Sequence, residues 1–344
     1  MIYFDTDYMA GAAPEIIERG AATNLDETTG YGPEPYTARA KELLAGACGL
    51  DLANGAQVRF LVGGTQTNAT VLDALLSRHE GVLAAETGHI AVHESGAIEA
   101  CGHKVLTLPS HSGKVEALEV EAFISEFYKD ETYEHMVAPG ALYISFPTEY
   151  GTLYSLSELE RLSGVCRKWN IPLFCDGARL GYALASPKND VTLPDLARLC
   201  DVFYIGGTKV GALFGEAVVA SNGALLPHFT SLTKQHGGLL AKGRLLGLQF
   251  ETLFTDGLYE RLASNGVRLA LKLKAGFVAA GFMPFIDSYT NQQFFCLPNS
   301  LIDRLRQVAS FEYWGPRGEQ ESKVRFVCSW ATTEESVDCL LSQL

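Results

Sequence analysis

The segment from residue 171 to residue 211 constrains the fold of this chain more than any other. Two apolar runs, Ile171–Cys175 and Val202–Ile205, predict buried strands that are separated by a mixed, partly helical stretch. Asp176 follows the first run, and Gly206-Gly207-Thr208-Lys209 follows the second. Ligands of open α/β sheets bind beyond the carboxyl ends of buried strands, so we expect Asp176 and Lys209 at one site.

Pyridoxal 5'-phosphate (PLP) chemistry requires an aspartate and a lysine at such positions in one site. The lysine forms a Schiff base with the cofactor, and the carboxylate pairs with the protonated pyridine nitrogen. Glycines beside Lys209 let a planar ring approach closely, and Thr208 offers a hydroxyl to a phosphate. Arg179 offers a planar fork to a carboxylate. A surface lysine or a capping aspartate explains either residue alone, but the joint pattern favours PLP.

Length and charge limit the classes of function. With 344 residues the chain has room for two domains, and we predict a large one over 1–250, with an N-terminal arm, and a small one over 251–344. A net charge of −13 argues against nucleic acid or an anionic membrane as partner. No signal pattern or membrane-length apolar run is present, and eight scattered cysteines favour reduced core thiols, so we expect a cytoplasmic protein.

A second glycine turn precedes this segment. The short strand Val58–Val62 ends at Gly63-Gly64-Thr65, where a helix through Leu76 begins. Backbone N–H groups and the helix dipole at such a turn point at an anion, and Thr65 adds a hydroxyl. Glycine turns of this kind are common, so the motif alone is a weak indication of a phosphate site.

His89 follows the next strand, where an imidazole could stack on a pyridine ring. His89 and His93 also have the i, i+4 spacing that suits a metal on a helix, and with Glu94 they leave a metallohydrolase as an alternative. The HExxH signature is absent and no third ligand has a sensible spacing. We therefore predict no metal site.

Strands and helices alternate from about residue 55 to 220, which predicts a doubly wound, mostly parallel sheet. Residues 215–220 are predicted as an edge strand. A long helical stretch, 239–280, is interrupted near Asp256-Gly257 and leads to a smaller α+β domain. Arg325 lies in an apolar strand there, so it needs an anionic partner to offset the cost of burial.

Six motifs of this chain, taken in their order along the sequence, resemble those of the threonine aldolase / β-eliminating lyase family of PLP enzymes. They are DGAR (176–179), GGTKVG (206–211), GGTQTN (63–68), TGHIAVHESG (87–96), YGPEPYT (31–37) and VRFVCSWATT (324–333). The resemblance is closest to the low-specificity L-threonine aldolase and phenylserine aldolase branch. It implies the aspartate-aminotransferase-like PLP fold type I, with a smaller C-terminal α+β domain.

The resemblance also implies roles for individual residues. Lys209 would carry the cofactor, Asp176 would hold the pyridinium, and His89 would stack over the ring. The phosphate would be held by Gly64, Thr65 and Thr208, and the substrate carboxylate by Arg179, Arg325 and Thr6. Tyr31 and the basic segment with Lys234 and Lys242 would approach from a neighbouring subunit of a homotetramer. Glu149 stands where many threonine aldolases have a histidine.

The activity that the resemblance implies is cleavage of a β-hydroxy-α-amino acid to glycine and an aldehyde. L-Threonine, L-allo-threonine and phenylserine are candidate substrates. The base that removes the β-hydroxyl proton could be His89, Glu149 or a water between them, and the sequence leaves this choice open. Another β-eliminating lyase, an aminotransferase or a non-catalytic PLP-fold protein are the competing interpretations.

Overall fold

The computed structural model describes residues 1–344 and contains thirteen strands. The strands are β1 (Ile2–Tyr3), β2 (Gln57–Leu61), β3 (Glu80–Ala85), β4 (Lys104–Leu108), β5 (Ala138–Ser145), β6 (Leu173–Asp176), β7 (Val202–Gly206), β8 (Glu216–Ala220), β9 (Pro284–Ile286), β10 (Gln292–Pro298), β11 (Ala309–Ser310), β12 (Glu312–Tyr313) and β13 (Glu321–Val327).

Fourteen α-helices connect and cover these strands. They are α1 (Pro14–Ala22), α2 (Pro35–Ala47), α3 (Gly64–Leu75), α4 (His89–Val92), α5 (Ala97–Ala100), α6 (Ala117–Lys129), α7 (Leu156–Trp169), α8 (Leu180–Leu184), α9 (Leu193–Leu199), α10 (Phe229–Gln235), α11 (Arg244–Leu253), α12 (Leu258–Ala279), α13 (Asn299–Leu305) and α14 (Glu334–Leu341). The break between α11 and α12 confirms the predicted interruption, because Asp256 and Gly257 both have positive φ, 50° and 67°.

The central sheet has seven strands in the order β2-β8-β7-β6-β5-β3-β4. Strands β3 to β7 run parallel to one another, which confirms the predicted doubly wound sheet. The prediction of an edge strand at 215–220 is wrong. Strand β8 is antiparallel and lies inside the sheet between β2 and β7, and all five of its residues are buried.

Side chains on alternate sides of the sheet enter two separate cores, which places helices over both faces. Along β7, Phe203 and Ile205 pack in the larger core, which includes residues of α2, α7 and α12. Val202 and Tyr204 pack in the second core with residues of α3. A strand that is covered on both faces has a continuous run of apolar residues in its sequence, and this run identifies β7 from sequence alone.

Helix α7 leads directly into β6 and so into Asp176. A capping box fixes its start, because the Ser155 hydroxyl accepts the Glu158 N–H and the Glu158 carboxylate accepts the Ser155 N–H. Asn170 ends the helix in the left-handed conformation, with φ of 53°. Both ends of helix α7, which precedes β6, are therefore determined by local sequence.

A third core lies in the C-terminal part, where β12-β13-β10-β9 form an antiparallel sheet. Strand β1 pairs with β11, and Phe4 is buried in this core, so the N-terminus packs against the C-terminal part of the chain. Helix α12 contributes to two cores, with Val267 in the largest and Phe277 in the third. The domain boundary at residue 250 stays a prediction.

All eight cysteines are unpaired, and five of them are buried. None of the helices combines the length and the apolar character that crossing a bilayer demands.

Candidate active site

A cavity lies beyond the carboxyl ends of the parallel strands, where the sequence places its polar residues. Six of the predicted site residues line it: Gly64, His89, Glu149, Asp176, Arg179 and Lys209. These residues follow or begin different elements, and the parallel sheet brings them together because its strands end at one edge. Ser145, Thr148 and Tyr204 line the same cavity.

Asp176 is a buried carboxylate that accepts four hydrogen bonds. Its Oδ1 accepts the Ala178 N–H at 2.9 Å and the Tyr204 hydroxyl at 2.5 Å. Its Oδ2 accepts the Tyr143 hydroxyl at 2.6 Å and the Asn68 amide at 2.9 Å. Burial would raise the pKa of Asp176, but the nearby His89 and these hydrogen bonds lower it below its usual value. The group is therefore an anion at neutral pH.

Lys209 combines a fixed backbone with a free amine. The Tyr182 hydroxyl donates to its carbonyl oxygen at 2.6 Å, and its Nζ has no hydrogen-bond or ion-pair partner within the protein. Burial lowers the pKa of Lys209, and the positive charge of Arg179 lowers it further, against the opposing carboxylates of Asp7, Asp176 and Glu216. A lowered amine pKa increases the fraction of the nucleophilic, neutral form.

Arg179 is held by Asp7 from the N-terminal arm. Its Nε and Nη2 donate to the two oxygens of Asp7 at 2.7 and 3.0 Å, and Asn291 also donates to Asp7 at 2.9 Å. Asp7 is buried and Arg179 largely so, and removing one member of the pair would cost about 3–5 kcal/mol. The Arg179 Nη1 has no partner in the protein and is available to a ligand.

Arg325 confirms the expectation of an anionic partner. Its Nη2 donates to the Glu312 carboxylate and its Nη1 to Gln292 Oε1 at 2.9 Å. The guanidinium carbon lies 5.0 Å from the centre of the Trp314 ring. Its Nε is buried without a partner, which leaves one donor for another acceptor.

His89 begins α4 and is oriented by a buried carboxylate. Its Nδ1 lies 2.7 Å from Glu94 Oε1, which also accepts the Asn68 amide at 2.7 Å. The network assigns the ring proton to Nδ1, so Nε2 is the acceptor. His93 lies 5.6 Å away between ring centres, and no group of three or more His, Cys, Asp or Glu side chains is arranged to hold a metal.

Glu149 lies beside His89 in the same cavity. Its Oε1 accepts the Ser145 hydroxyl at 2.6 Å and the His89 backbone N–H at 2.9 Å. Its Oε2 is buried without a partner. Burial raises the pKa of Glu149, and the hydrogen bond from Ser145 offsets only part of this rise. The carboxyl therefore keeps a proton to a higher pH than an exposed glutamate does.

The glycine turn forms the open start of α3. Gly63 caps this helix without a side-chain hydrogen bond, so its first N–H groups lack intrahelical partners. A Cβ at Gly64 would lie 3.4 Å from the Tyr204 hydroxyl, and Thr65 is exposed. The Thr208 hydroxyl instead donates to Glu216 Oε1 at 2.8 Å, so its predicted phosphate contact stays a prediction that requires this bond to break.

The other six predicted site residues are not among those that line the cavity: Thr6, Tyr31, Thr65, Thr208, Lys242 and Arg325. Thr6 precedes Asp7 in the arm and is half-buried. The Tyr31 N–H donates to the carbonyl of Ala241 at 3.3 Å, so the loops of Tyr31 and Lys242 are adjacent. Tyr31 is half exposed, and the Lys234 amine lies 4.9 Å from its ring centre.

The residues present fit PLP. A free lysine amine and an ionised aspartate line one cavity, a helix N-terminus without a cap opens beside it at Gly64, and Arg325 Nε is an unpaired donor. These groups match the aldehyde, the protonated pyridine nitrogen and the phosphate of PLP, and Arg325 matches the carboxylate of an amino acid.

Comparison with known proteins identifies the family of this chain. The sequence profile described as beta-eliminating lyase matches residues 4–293. The chain belongs to the beta-eliminating lyase family. Among curated family members, the low specificity L-threonine aldolase of Pseudomonas aeruginosa is 30% identical over 338 residues, which cover 97% of this chain and 94% of that protein.

Solved structures of the family and its fold superimpose on this lyase. The threonine aldolase of Leishmania major is 41% identical, with a TM-score of 0.95, over 99% of this chain and 98% of that one. The aspartate aminotransferase of Thermus thermophilus is 15% identical with a TM-score of 0.71, over 100% of this chain and 90% of its own, which shows the fold alone. The fold is the aspartate-aminotransferase-like fold type I of PLP enzymes.

Sequence reasoning missed the buried partners of the site residues: Asp7, Asn68, Tyr143, Tyr204 and, as the partner of His89, Glu94. Tyr143 and Tyr204 lie inside apolar strands, where their hydroxyls are indistinguishable from core tyrosines. A usable signal existed only for Asn68, which lies one helical turn after Gly64 and on the same side of α3.

Proposed function

We propose that this lyase is a PLP-dependent threonine aldolase that cleaves L-threonine, L-allo-threonine or related β-hydroxy-α-amino acids such as phenylserine. The products are glycine and an aldehyde. One observation carries the proposal: the free amine of Lys209 and the ionised carboxylate of Asp176 line the same cavity. The relatives named above as threonine aldolases support the choice of reaction within the family.

Each part of the cofactor has a matching group in the cavity. Lys209 would bind its aldehyde carbon, Asp176 its pyridine nitrogen, His89 its ring face, and Gly64, Thr65 and Thr208 its phosphate. When bound, PLP withdraws electrons from the substrate Cα and so stabilises the negative charge left there after bond cleavage. The anionic state of Asp176 supports this chemistry, since it stabilises a protonated ring nitrogen.

Arg179 and Arg325 bind the substrate carboxylate in this proposal, with Thr6 beside them. Arg179 donates to Asp7 and Arg325 donates to Glu312. The donors that remain are the free Nη1 of Arg179 and the unpaired Nε of Arg325. Two fixed guanidinium groups orient the amino acid, which selects the bond at Cα that is broken.

His89 is the group that we assign as the base for the β-hydroxyl proton. Glu94 holds its Nδ1–H, so Nε2 presents a lone pair to the cavity. Glu149, whose pKa burial raises, is the alternative base, and its carboxyl can also hold or return a proton. Its Oε1 fixes the backbone of His89, which ties the two groups together.

The product assay tests the proposed reaction. We expect the cofactor-loaded protein to convert L-threonine to glycine and acetaldehyde, and phenylserine to glycine and benzaldehyde. Glycine is measured by chromatography, and the aldehyde by coupled reduction. Release of pyruvate and ammonia would instead indicate a β-eliminating lyase, and amino-group transfer to a keto acid would indicate an aminotransferase.

Replacing Glu94 tests His89 as the base. In Glu94→Gln the amide oxygen still accepts from Nδ1 and Asn68, but the negative charge beside the imidazole is lost. We expect kcat to fall by part of the roughly 10²–10⁴-fold that a general base contributes, with KM little changed. Glu99→Gln, an exposed carboxylate on α5, is the matched control. An unchanged kcat would indicate Glu149 as the base instead.

The assembly and location of the protein are further parts of the proposal. We infer a homotetramer built from catalytic dimers, in which Tyr31 and Lys242 of one protomer approach the cavity of its partner. Their adjacent loops and the half-exposed ring of Tyr31 support this arrangement. We also infer a cytoplasmic location, which the unpaired thiols support.

A further inference from the structure

The turn that carries Lys209 is held by the buried carboxyl of Glu216. This residue begins β8 and pairs with Gly206 at the end of β7. Its Oε2 lies 3.1 Å from the Gly207 N–H, and its Oε1 accepts the Thr208 hydroxyl at 2.8 Å. The side chain is thus bonded to both residues that immediately precede Lys209, and Glu216 is only 3% exposed.

The hydrogen bonds around Glu216 suit both of its protonation states. The Thr208 Oγ1 accepts the Gly215 N–H at 2.9 Å and lies 3.5 Å from the Gly215 carbonyl oxygen. When Glu216 is ionised, Thr208 donates to it. When Glu216 is protonated, its O–H can donate to Thr208, whose own hydrogen turns to the Gly215 carbonyl. Neither state leaves a buried donor or acceptor unpaired.

We propose that Glu216 is a positioning residue whose charge follows that of Lys209. It is anionic while the Lys209 nitrogen is protonated, and it holds a proton while that nitrogen is neutral. The pair as a whole then keeps a net charge of zero: the proton that leaves the ammonium is matched by one that the carboxyl gains. This inference rests on the proposed function, which requires Lys209 to bond to the cofactor and to be released from it.

The charges around the pair agree with this coupling. Burial raises the pKa of Glu216 to about 8, against the Thr208 hydrogen bond and the positive charge of Lys209. Burial also lowers the pKa of Lys209, so the two values approach each other. The other groups that face Glu216 are Asp176, Tyr204 and Tyr259, and those that face Lys209 are Arg179, Asp7 and Asp176.

The variant Glu216→Gln separates charge from shape. Its amide oxygen can accept the Gly207 N–H, while its amide nitrogen donates to Thr208 and the hydroxyl turns to Gly215. The hydrogen bonds remain and the ionisable group is gone. Because this variant removes one of the carboxylates near the ammonium while Asp7 and Asp176 remain, we expect the pKa of Lys209 to fall further below its usual value.

The measurement uses the full-length chain without cofactor. Lys209 is acylated by an amine-reactive ester over a range of pH, and its peptide is quantified by mass spectrometry. The midpoint of the rate against pH gives the pKa of the amine. Glu158→Gln is the control. It also removes a carboxylate that accepts a backbone N–H, but this carboxylate caps helix α7 and pairs with Lys114. A midpoint that is the same in Glu216→Gln and wild type overturns the proposal.

A second variant keeps the test decisive if Glu216→Gln does not fold, as judged by circular dichroism. Thr208→Val removes the donor that stabilises the Glu216 anion, so the Lys209 midpoint should again move down, and an unmoved midpoint overturns the coupling. The aldehyde assay on the wild type distinguishes the two hypotheses. A shifted midpoint in a protein that releases no aldehyde would contradict the aldolase assignment and not the coupling of these groups.

Discussion

Lys209→Ala is expected to abolish turnover, with a fall in kcat of about 10⁴-fold or more, as when a covalent nucleophile is removed. No other group can take its place, because Lys209 is the only lysine that lines the cavity. The variant should also fail to bond to PLP. Borohydride reduction followed by peptide mass spectrometry checks this, since it leaves the cofactor attached to Lys209 in the wild type and to no peptide in the variant.

Two further substitutions separate the nucleophile from its charge. Lys209→Arg keeps a cation beside Asp7 and Asp176 but has no nucleophilic amine, so it should be as inactive as the alanine variant. Lys104→Ala removes an exposed lysine of β4 and should leave activity unchanged. Cleavage of threonine at an appreciable rate by Lys209→Arg would show that Lys209 is not the cofactor lysine.

Three of the residues found from sequence, Asp176, Lys209 and His89, share one property: each ends or follows a strand at the same edge of the central sheet. Asp176, Lys209 and His89 were recognisable because a continuous apolar run, then glycine or a polar residue, marks the end of a buried strand. The parallel sheet then converts positions that are distant in sequence into neighbours. Local pattern plus one topological rule was enough for these residues.

The partners of these residues could not be found in this way, because the contacts are long-range. Asp7 and Arg179 are 172 residues apart, and nothing near either one in the sequence indicates the other. Arg325 needed an anion, but only the pairing of β12 with β13 identifies Glu312. The apolar run at 216–220 showed a strand without showing its neighbours, since an antiparallel insertion and an edge strand have similar patterns.

Asp176→Asn is expected to leave cofactor attachment intact and to lower kcat by about 10²–10³-fold, the usual cost of losing one preorganised electrostatic contact. The asparagine side chain is neutral, so it no longer stabilises a protonated pyridine nitrogen, and PLP withdraws electrons less strongly. Lys209 is unchanged, so its bond to the cofactor should still form. The combination of a retained visible absorption band and slow turnover distinguishes this variant from Lys209→Ala.

The surroundings of Asp176 make this substitution informative. The Ala178 N–H can only donate, which directs the new amide oxygen toward Ala178. The new amide nitrogen then faces the Tyr143 hydroxyl, which can rotate to accept, and the Asn68 amide nitrogen, which must move away. The control is Asp201→Asn, at the opposite end of the same two strands, where Asp201 accepts the Leu173 N–H at 2.8 Å. That change also neutralises a hydrogen-bonded carboxylate but lies away from the cavity, so kcat should hold. Equal losses in both variants would mean that stability, and not the charge at Asp176, governs turnover.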